Sequence, residues 1–508
     1  MTIVEKLKLR GNPFEHYTAE TEPDIASYAV RPPYLETISA RAQNVSSFIL
    51  LGDRGAGKSA TRLTVYSEVW KAISEKKTGP LVVNLTDFSP ILADFAKNKL
   101  TDKEIVRLAA FVVVEQVLTW LSSLEEEDRN VYIEGLDNEE RTLALALMKG
   151  FYLSVNEMDR AVSNGEALRL LNTAWTTKSA IWISQRWGAL SKVIAAAVST
   201  LSKNELGNNV DISAPAEALL NSLVGESPNT SRAVLSKLVD FAKAFGFSGV
   251  CVLVDKVDET QATAKSAEST ARLIHPLLSH IQLLEIPGYS WVLFLWSNVQ
   301  AHFNEKYVIR MDKISHANIT WDPESLRRML DARMRFFSDG RLAFADLFEK
   351  DINVDDTFRA LVQISVKSPR ELIKLLDIVI REHDARGDDA PGLVDEQSLT
   401  IGQDKYSLET IGAWFSSKVL QQVLRLGRNE FVNRDVQSVF KIGDQGARVK
   451  ITNWEDSGLV RQDGTMPSEL GGKPVYRYTV ADARARRIID RKLDEVVGTG
   501  ASGDGSDE

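Results

Sequence analysis

Ser47-Phe48-Ile49-Leu50-Leu51 runs directly into Gly52-Asp53-Arg54-Gly55-Ala56-Gly57-Lys58-Ser59, and the rest of the chain is best understood from this junction. Five apolar residues bounded by a glycine-rich turn predict a strand buried on both faces. The turn fits G-x-x-x-x-G-K-[ST], and the residues from Lys58 towards Trp70 predict a helix. Glycines let consecutive backbone N–H groups point inward at a phosphate, and the helix N-terminus adds its partial positive charge. Lys58 then neutralises β/γ oxygens, and the Ser59 hydroxyl takes one position on Mg²⁺. The stretch Gly52, Asp53, Arg54, Gly55, Ala56, Gly57, Lys58, Ser59 and Ala60 is therefore the predicted cradle for ATP.

Such a loop needs an acid for the metal. Val252-Leu253-Val254-Asp255 offers an apolar strand ending in one, followed by Lys256, Val257, Asp258 and Glu259. Asp255, at the carboxyl end of its strand, is predicted to hold Mg²⁺ together with Ser59. Asp258 and Glu259, where the chain turns away from the strand, are the candidates to orient an attacking water.

Working outward, Leu81 to Leu85 and Trp291 to Trp296 read as further strands, with a shorter one in Ile314 to Trp321. Thr101-Asp102-Lys103-Glu104 is a capping box, followed by apolar residues at Ile105, Leu108, Ala109 and Val112. Between Phe88 and Gly249 there is little strand signal, only helical segments. Strands alternating with helices predict an α/β P-loop fold: a parallel sheet flanked by helices, a large helical insertion, a helical lid and a C-terminal winged helix-turn-helix. The expected boundaries are 1–88 for the N-terminal segment and first part of the core, 89–248 for the insertion and 249–322 for the second part of the core. A lid over 323–390, a linker over 391–404, a winged helix over 405–492 and a disordered acidic tail over 493–508 follow.

Composition narrows the setting. The 508 residues carry 61 Lys and Arg against 70 Asp and Glu, a net charge of −9, so any nucleic-acid surface must be a local patch. The single cysteine, Cys251, allows no internal disulfide and no thiolate zinc cluster, which suits a reducing interior. Six scattered histidines show no metal-ligand spacing. The N-terminus lacks the apolar run of a secretory signal, and the apolar stretch Ala180 to Leu201 is interrupted by Gln185, Arg186 and Lys192. A cytoplasmic protein without a membrane partner is the expectation.

The last segment has a different character. Glu430 to Asn433 precedes a short amphipathic helix over Arg434 to Ile442, a turn at Gly443-Asp444 and a second helix over Gln445 to Ser457 with apolar Val449 and Trp454. Leu459 to Arg461 and Val475 to Val480 read as two strands around the loop Asp463 to Pro474. Phe431 to Lys492 holds 12 Lys and Arg against 8 acids, whereas the tail from Leu493 holds five acids and no bases. Duplex DNA is the predicted partner, with Arg448 and Lys450 on the second helix and Lys473 and Arg477 by the wing. A winged helix used for docking a protein is the alternative.

Beyond the loop, the order of features resembles AAA+ ATPases, and the Orc/Cdc6-type initiators in particular, over roughly residues 10–90 and 245–490. Ser297-Asn298 after Trp296 resembles the sensor 1 position, with Asn298 as the polar group reaching the γ-phosphate or the water. Arg310 resembles the arginine finger, which acts on a neighbour's nucleotide and so implies a homo-oligomer. Ser368-Pro369-Arg370-Glu371 resembles the start of the sensor 2 helix: Ser368 caps, Pro369 takes the first position, Glu371 closes the capping box, and Arg370 senses the γ-phosphate. Asn12, Phe14 and Tyr34 stand where that family lines its adenine pocket. The sequence departs from the family at Lys256, where AAA+ proteins carry a glutamate, which tells against fast turnover. The spacing of Asp255 and Asp258 resembles STAND and KAP ATPases instead. The resemblance thus implies an ATPase switch using MgATP to control DNA binding or assembly. Its rivals are a STAND/KAP-like scaffold with little hydrolysis that gates a protein effector, and a transcription regulator that reads its signal through the insertion.

Overall fold

The computed structural model describes residues 2–18, 25–28, 30–32, 34–76, 78–174, 213–224, 227, 229–264, 266–467 and 474–493. Ala180 to Leu201, Lys473 and all of the acidic tail after Leu493 lie outside the described residues. The chain divides into two units, Arg31–Thr320 and Met1–Val30 with Trp321–Glu508.

The first unit is built on a five-stranded sheet. Its strands are β1 (Phe48–Gly52), β2 (Leu81–Leu85), β3 (Val250–Val254), β4 (Tyr289–Trp296) and β5 (His316–Asn318), in the spatial order β2-β3-β4-β1-β5. All the pairings are parallel. Parallel neighbours need crossover connections that lay helices on the faces, so the strands are apolar throughout rather than alternating. β1 and β3 are buried at every position. Gly52 pairs with Trp296, and Val254 with Leu293, so the carboxyl ends of β1, β4 and β3 gather at one margin of the sheet. That margin, outside the carboxyl ends of parallel strands, is where such sheets bind ligands.

Helix α1 (Lys58–Lys76) leaves the loop after β1 and packs on the sheet, with the Trp70 indole donating to the Val82 carbonyl at 3.1 Å. The described part of the insertion is helical. Helix α2 (Asp102–Ser123) opens with the capping box expected at Thr101 and Glu104. By length and composition it is apolar enough to cross a membrane, the one such helix among the described residues, but 78% of that window is buried against the rest of the protein. Its apolar surface covers β2, and helix α3 (Glu157–Ala174) packs on both α2 and α1. The insertion is thus part of the same core as the sheet. The buried Cys251 thiol, pushed up to about 12 by burial, sits inert within β3.

In the second unit the helices Pro323–Phe337 and Val354–Ile364 precede α4 (Pro369–Ala385) and α5 (Glu396–Ile411). Helix α5 occupies much of the stretch expected to be a linker. The connection between α4 and α5 is short and includes a single 3-10 turn, Gly387–Asp389, because Leu399, Tyr406 and Ile411 give α5 a buried apolar face. The N-terminal residues belong to this unit: Phe14 is fully buried with Trp321, Leu326 and Leu330, and the Asn12 amide donates to Asp377 at 2.7 Å. Phe14 is therefore a core residue, not the pocket lining implied by the resemblance.

The chain then forms α6 (Asn433–Phe440), α7 (Asp444–Asp456) and a three-stranded antiparallel sheet, β6 (Glu430–Val432), β8 (Val475–Val480) and β7 (Val460–Met466) in that spatial order. The element order follows the sequence expectation, with β6 as an added strand and β7 reaching further into the loop. Trp454 is buried among Phe431, Val436 and Ile451. Helix α8 (Ala483–Arg491) closes this part, and its Arg487 and Arg491 both pair with Asp404 of α5, at 2.6 and 2.8 Å.

Candidate functional site

The loop between β1 and α1 adopts the conformation its glycines permit. Gly55 and Gly57 take φ of 79° and 90°, a region where a side chain is strained. Gly52 lacks room for any substituent, since a Cβ there would lie 2.2 Å from the Ile319 side chain. The Lys58 ammonium is buried and folds back on the loop, donating to the carbonyls of Gly52 at 2.8 Å and Asp53 at 3.1 Å. Ser59 and Ala60 are half-buried at the first turn of α1.

Two acids follow β3, and an arginine meets each. Asp255 is 2% exposed and accepts from Arg62 Nε at 3.0 Å; Arg62, one turn beyond Lys58 on α1, is 3% exposed. The same guanidinium donates to Asn84 of β2 at 2.7 Å. Asp258 accepts from Arg54 Nε at 3.2 Å, and Arg54 also donates to the Asp258 and Ala264 carbonyls. The Arg54 guanidinium lies 4.4 Å from the centre of the Trp296 ring, a cation–π contact. Between the acids Lys256 adopts φ 63°, turning the chain sharply away from β3. Glu259 is exposed.

The donor set that the sequence assigns to magnesium, the Ser59 hydroxyl and the Asp255 carboxylate, fits a divalent cation poorly in this arrangement. The carboxylate is already matched by a buried guanidinium. Arg62 and Asn84 lie outside the motif, which ends at Ser59, and Arg54, counted with the cradle, stands at a position where the motif specifies no residue type. The recurrence of cations every four residues, Arg54, Lys58 and Arg62, was the available signal.

The remaining candidates distribute unevenly. Ser297 donates its hydroxyl to Asp53 and its backbone N–H to the Gly52 carbonyl, so the end of β4 is tied to the loop. Asn298 is exposed beside it and opens the short helix Val299–Glu305. Arg310 is exposed and forms a two-pronged pair with Asp312, at 2.9 and 2.7 Å. The insertion contributes a residue the sequence left unread: Glu166 of α3 is held below the usual carboxylate range, chiefly by its hydrogen bond from Arg169, with the charges of Arg62 and Lys256 adding to the effect. In the second unit Arg370 is half-buried in the first turn of α4. Ser368 caps that helix, accepting from the Glu371 N–H at 3.4 Å, but Glu371 does not close the box. Its carboxylate takes the Tyr406 hydroxyl of α5 at 2.6 Å instead.

On α7 the outward face is Gln445, Arg448, Val449 and Thr452, at i, i+3, i+4 and i+7. Val449 is 61% exposed, so it belongs to this face and not to the core. Arg448 pairs with Asp444 at 2.9 Å. Lys450 turns aside, its ammonium 4.8 Å from the centre of the Phe440 ring. Arg477 of β8 pairs with Asp463 at 3.1 Å and with Glu430 at 3.7 Å.

No family model matches the chain. No curated protein matches it either. Among solved structures it resembles archaeal Orc and Cdc6 proteins. It is similar to the Aeropyrum pernix ORC1 protein solved in complex with DNA, at 11% identity and a TM-score of 0.36, over 94% of this chain and 96% of that one. The Aeropyrum pernix ORC2 protein in ADPNP–ADP complexes is similar at 12% identity and a TM-score of 0.39, over 94% and 99%. Pyrobaculum aerophilum CDC6P is similar at 10% and 0.32, over 95% and 97%. The α/β assignment rests on the sheet order and the loop geometry described above.

Proposed function

We propose that this chain is an ATP-binding switch whose nucleotide state governs a C-terminal DNA-binding domain. One observation carries the reading: a G-x-x-x-x-G-K-S loop in left-handed turns at Gly55 and Gly57, with the Lys58 ammonium held inside it, at the carboxyl margin of an all-parallel sheet. A triphosphate entering the loop takes over Lys58 from the Gly52 and Asp53 carbonyls and receives the inward N–H groups. Asn298 reaches it from the end of β4. Arg310, free to exchange Asp312 for a phosphate, acts on a neighbour's nucleotide in an oligomer. The face of α7 formed by Gln445, Arg448, Val449 and Thr452 lies in the major groove of duplex DNA, with Arg477 near the backbone.

A second reading is favoured by Asp258. One of the two candidate water-orienting acids, Asp258, is buried and engaged by Arg54, leaving only the exposed Glu259, and Lys256 stands where a glutamate serves in AAA+ proteins. This supports a nucleotide-gated scaffold that binds ATP, turns it over slowly and controls a protein effector. Both readings are tested by ATP binding and steady-state hydrolysis of wild type and Lys58→Ala, with and without duplex DNA. Hydrolysis stimulated by DNA and abolished in Lys58→Ala supports the DNA-coupled switch. Binding without turnover, indifferent to DNA, sinks it in favour of the scaffold.

A further inference from the structure

Three cations stand four residues apart along the loop and its helix, Arg54, Lys58 and Arg62, and two acids stand three apart beyond β3, Asp255 and Asp258. The outer arginines each take one acid: Arg62 holds Asp255 and Arg54 holds Asp258. Lys58 lies between them on backbone carbonyls. The margin of the sheet that receives the phosphates therefore carries its acids already neutralised, and a lysine in addition.

A divalent cation at Asp255 has two ways in, and both are opposed. It can displace Arg62, but that guanidinium is 3% exposed and tethered to Asn84, so moving it breaks a buried charge-assisted contact. Or it can share the carboxylate, which sets a dication beside a guanidinium in a water-poor site where like charges repel strongly. The charge that magnesium normally offsets on a triphosphate is met here by the protein.

We propose that Arg62 occupies at Asp255 the place the motif reserves for magnesium, so that the loop binds ATP without a divalent cation. Arg62 is a positioning residue: it acts through Asp255 and keeps that carboxylate turned from the phosphates. The inference rests on the nucleotide-binding reading above and specifies how that site is regulated.

The test is titration of the full chain with a fluorescent ATP analogue in EDTA and again in excess Mg²⁺. Wild type is expected to give dissociation constants agreeing within about twofold between the two buffers, whereas Arg62→Gln, with Asp255 released, binds about tenfold more tightly in Mg²⁺ than in EDTA. Arg62→Lys, which keeps the charge, retains the wild-type indifference. A wild-type chain that Mg²⁺ tightens by about tenfold or more overturns the proposal, whether or not the Arg62→Gln chain folds. Mn²⁺ titration of the nucleotide-free wild type, followed by electron paramagnetic resonance, gives a second readout: no bound ion is expected, and stoichiometric binding abolished by Asp255→Asn overturns the inference. Failure of wild type to bind the analogue in either buffer, or equal binding by Lys58→Ala, overturns the nucleotide reading itself, and the inference falls with it.

Discussion

Arg62 and Arg448 each pair with an aspartate, at 3.0 and 2.9 Å, yet the side chains of the first pair are 3% and 2% exposed and those of the second 67% and 57%. The partners differ in origin as well. Asp255 reaches Arg62 from a strand almost two hundred residues away in sequence, whereas Asp444 lies one helical turn before Arg448. In water the second pair gains little from its geometry, and either member is free to take another partner. Within the core exchange is costly, because removing Arg62 leaves the buried Asp255 carboxylate without the guanidinium that offsets its charge. The same contact is a lock at the sheet margin and a resting position on α7.

The largest expected effect follows from the lock. Arg62→Ala should lower the unfolding free energy by about 3–5 kcal/mol, read by urea denaturation, as loss of one member of a buried pair does. A loss below about 1 kcal/mol would place this pair with the exposed ones and break the comparison. Adding Asp255→Asn to a milder Arg62→Gln should recover part of the loss, since no charge is then left uncompensated.

Glu115 sharpens the contrast from the other side, as a buried acid without an arginine. It sits on α2 with one carboxylate oxygen hydrogen-bonded by Ser163 at 2.9 Å and the other, among the described residues, without a hydrogen-bond partner. Burial pushes it up to about 8. The folded chain thus keeps a proton that the unfolded chain releases above the ordinary carboxylate value near 4.5, so stability is greatest below that value and falls as pH rises through about 8. The decline between pH 5 and 9 should be on the order of 4 kcal/mol and should flatten in Glu115→Gln, by urea denaturation across pH. An unchanged slope in that variant removes burial as its cause.

Lys58→Ala should weaken binding of an ATP analogue by about 2 kcal/mol, about 30-fold, as loss of a charged hydrogen-bond donor does, with stability little altered. Equal affinity would mean that the loop is not the phosphate site. The smallest effect is expected at the exposed pair. Arg448→Ala should leave stability within about 0.5 kcal/mol of wild type. It should reduce the salt slope of duplex DNA binding by about one if the outward face of α7 meets phosphate. No change in DNA affinity at any salt concentration would assign this face to a protein partner.

Much of the first unit was legible because its signals are local. An apolar run, a glycine turn and a helix start determine β1, the loop and α1 from adjacent residues, and the capping box at Thr101 does the same for α2. The C-terminal helices and hairpin followed from periodicity and turn residues, which do not tell that Val449 faces outward while Trp454 is buried. A few apolar residues on a short helix are not enough to say which face turns inward. The linker expected over 391–404 failed as a linker for a related reason: polar residues at its start obscured the buried stripe of Leu399, Tyr406 and Ile411.

By itself the sequence determined that a G-x-x-x-x-G-K-S turn joins a buried strand to a helix, and that acids end a second apolar strand, because these are properties of neighbouring residues and of backbone conformations only glycine takes easily. Only the tertiary structure decided what those acids meet. The order β2-β3-β4-β1-β5 brings β3 and the helix after β1 together across the sheet, so that Arg62 finds Asp255 and Asn84, and Arg54 finds Asp258. Charge pairing depends on distance in space and on the exclusion of water, and neither is written in the spacing of residues along the chain.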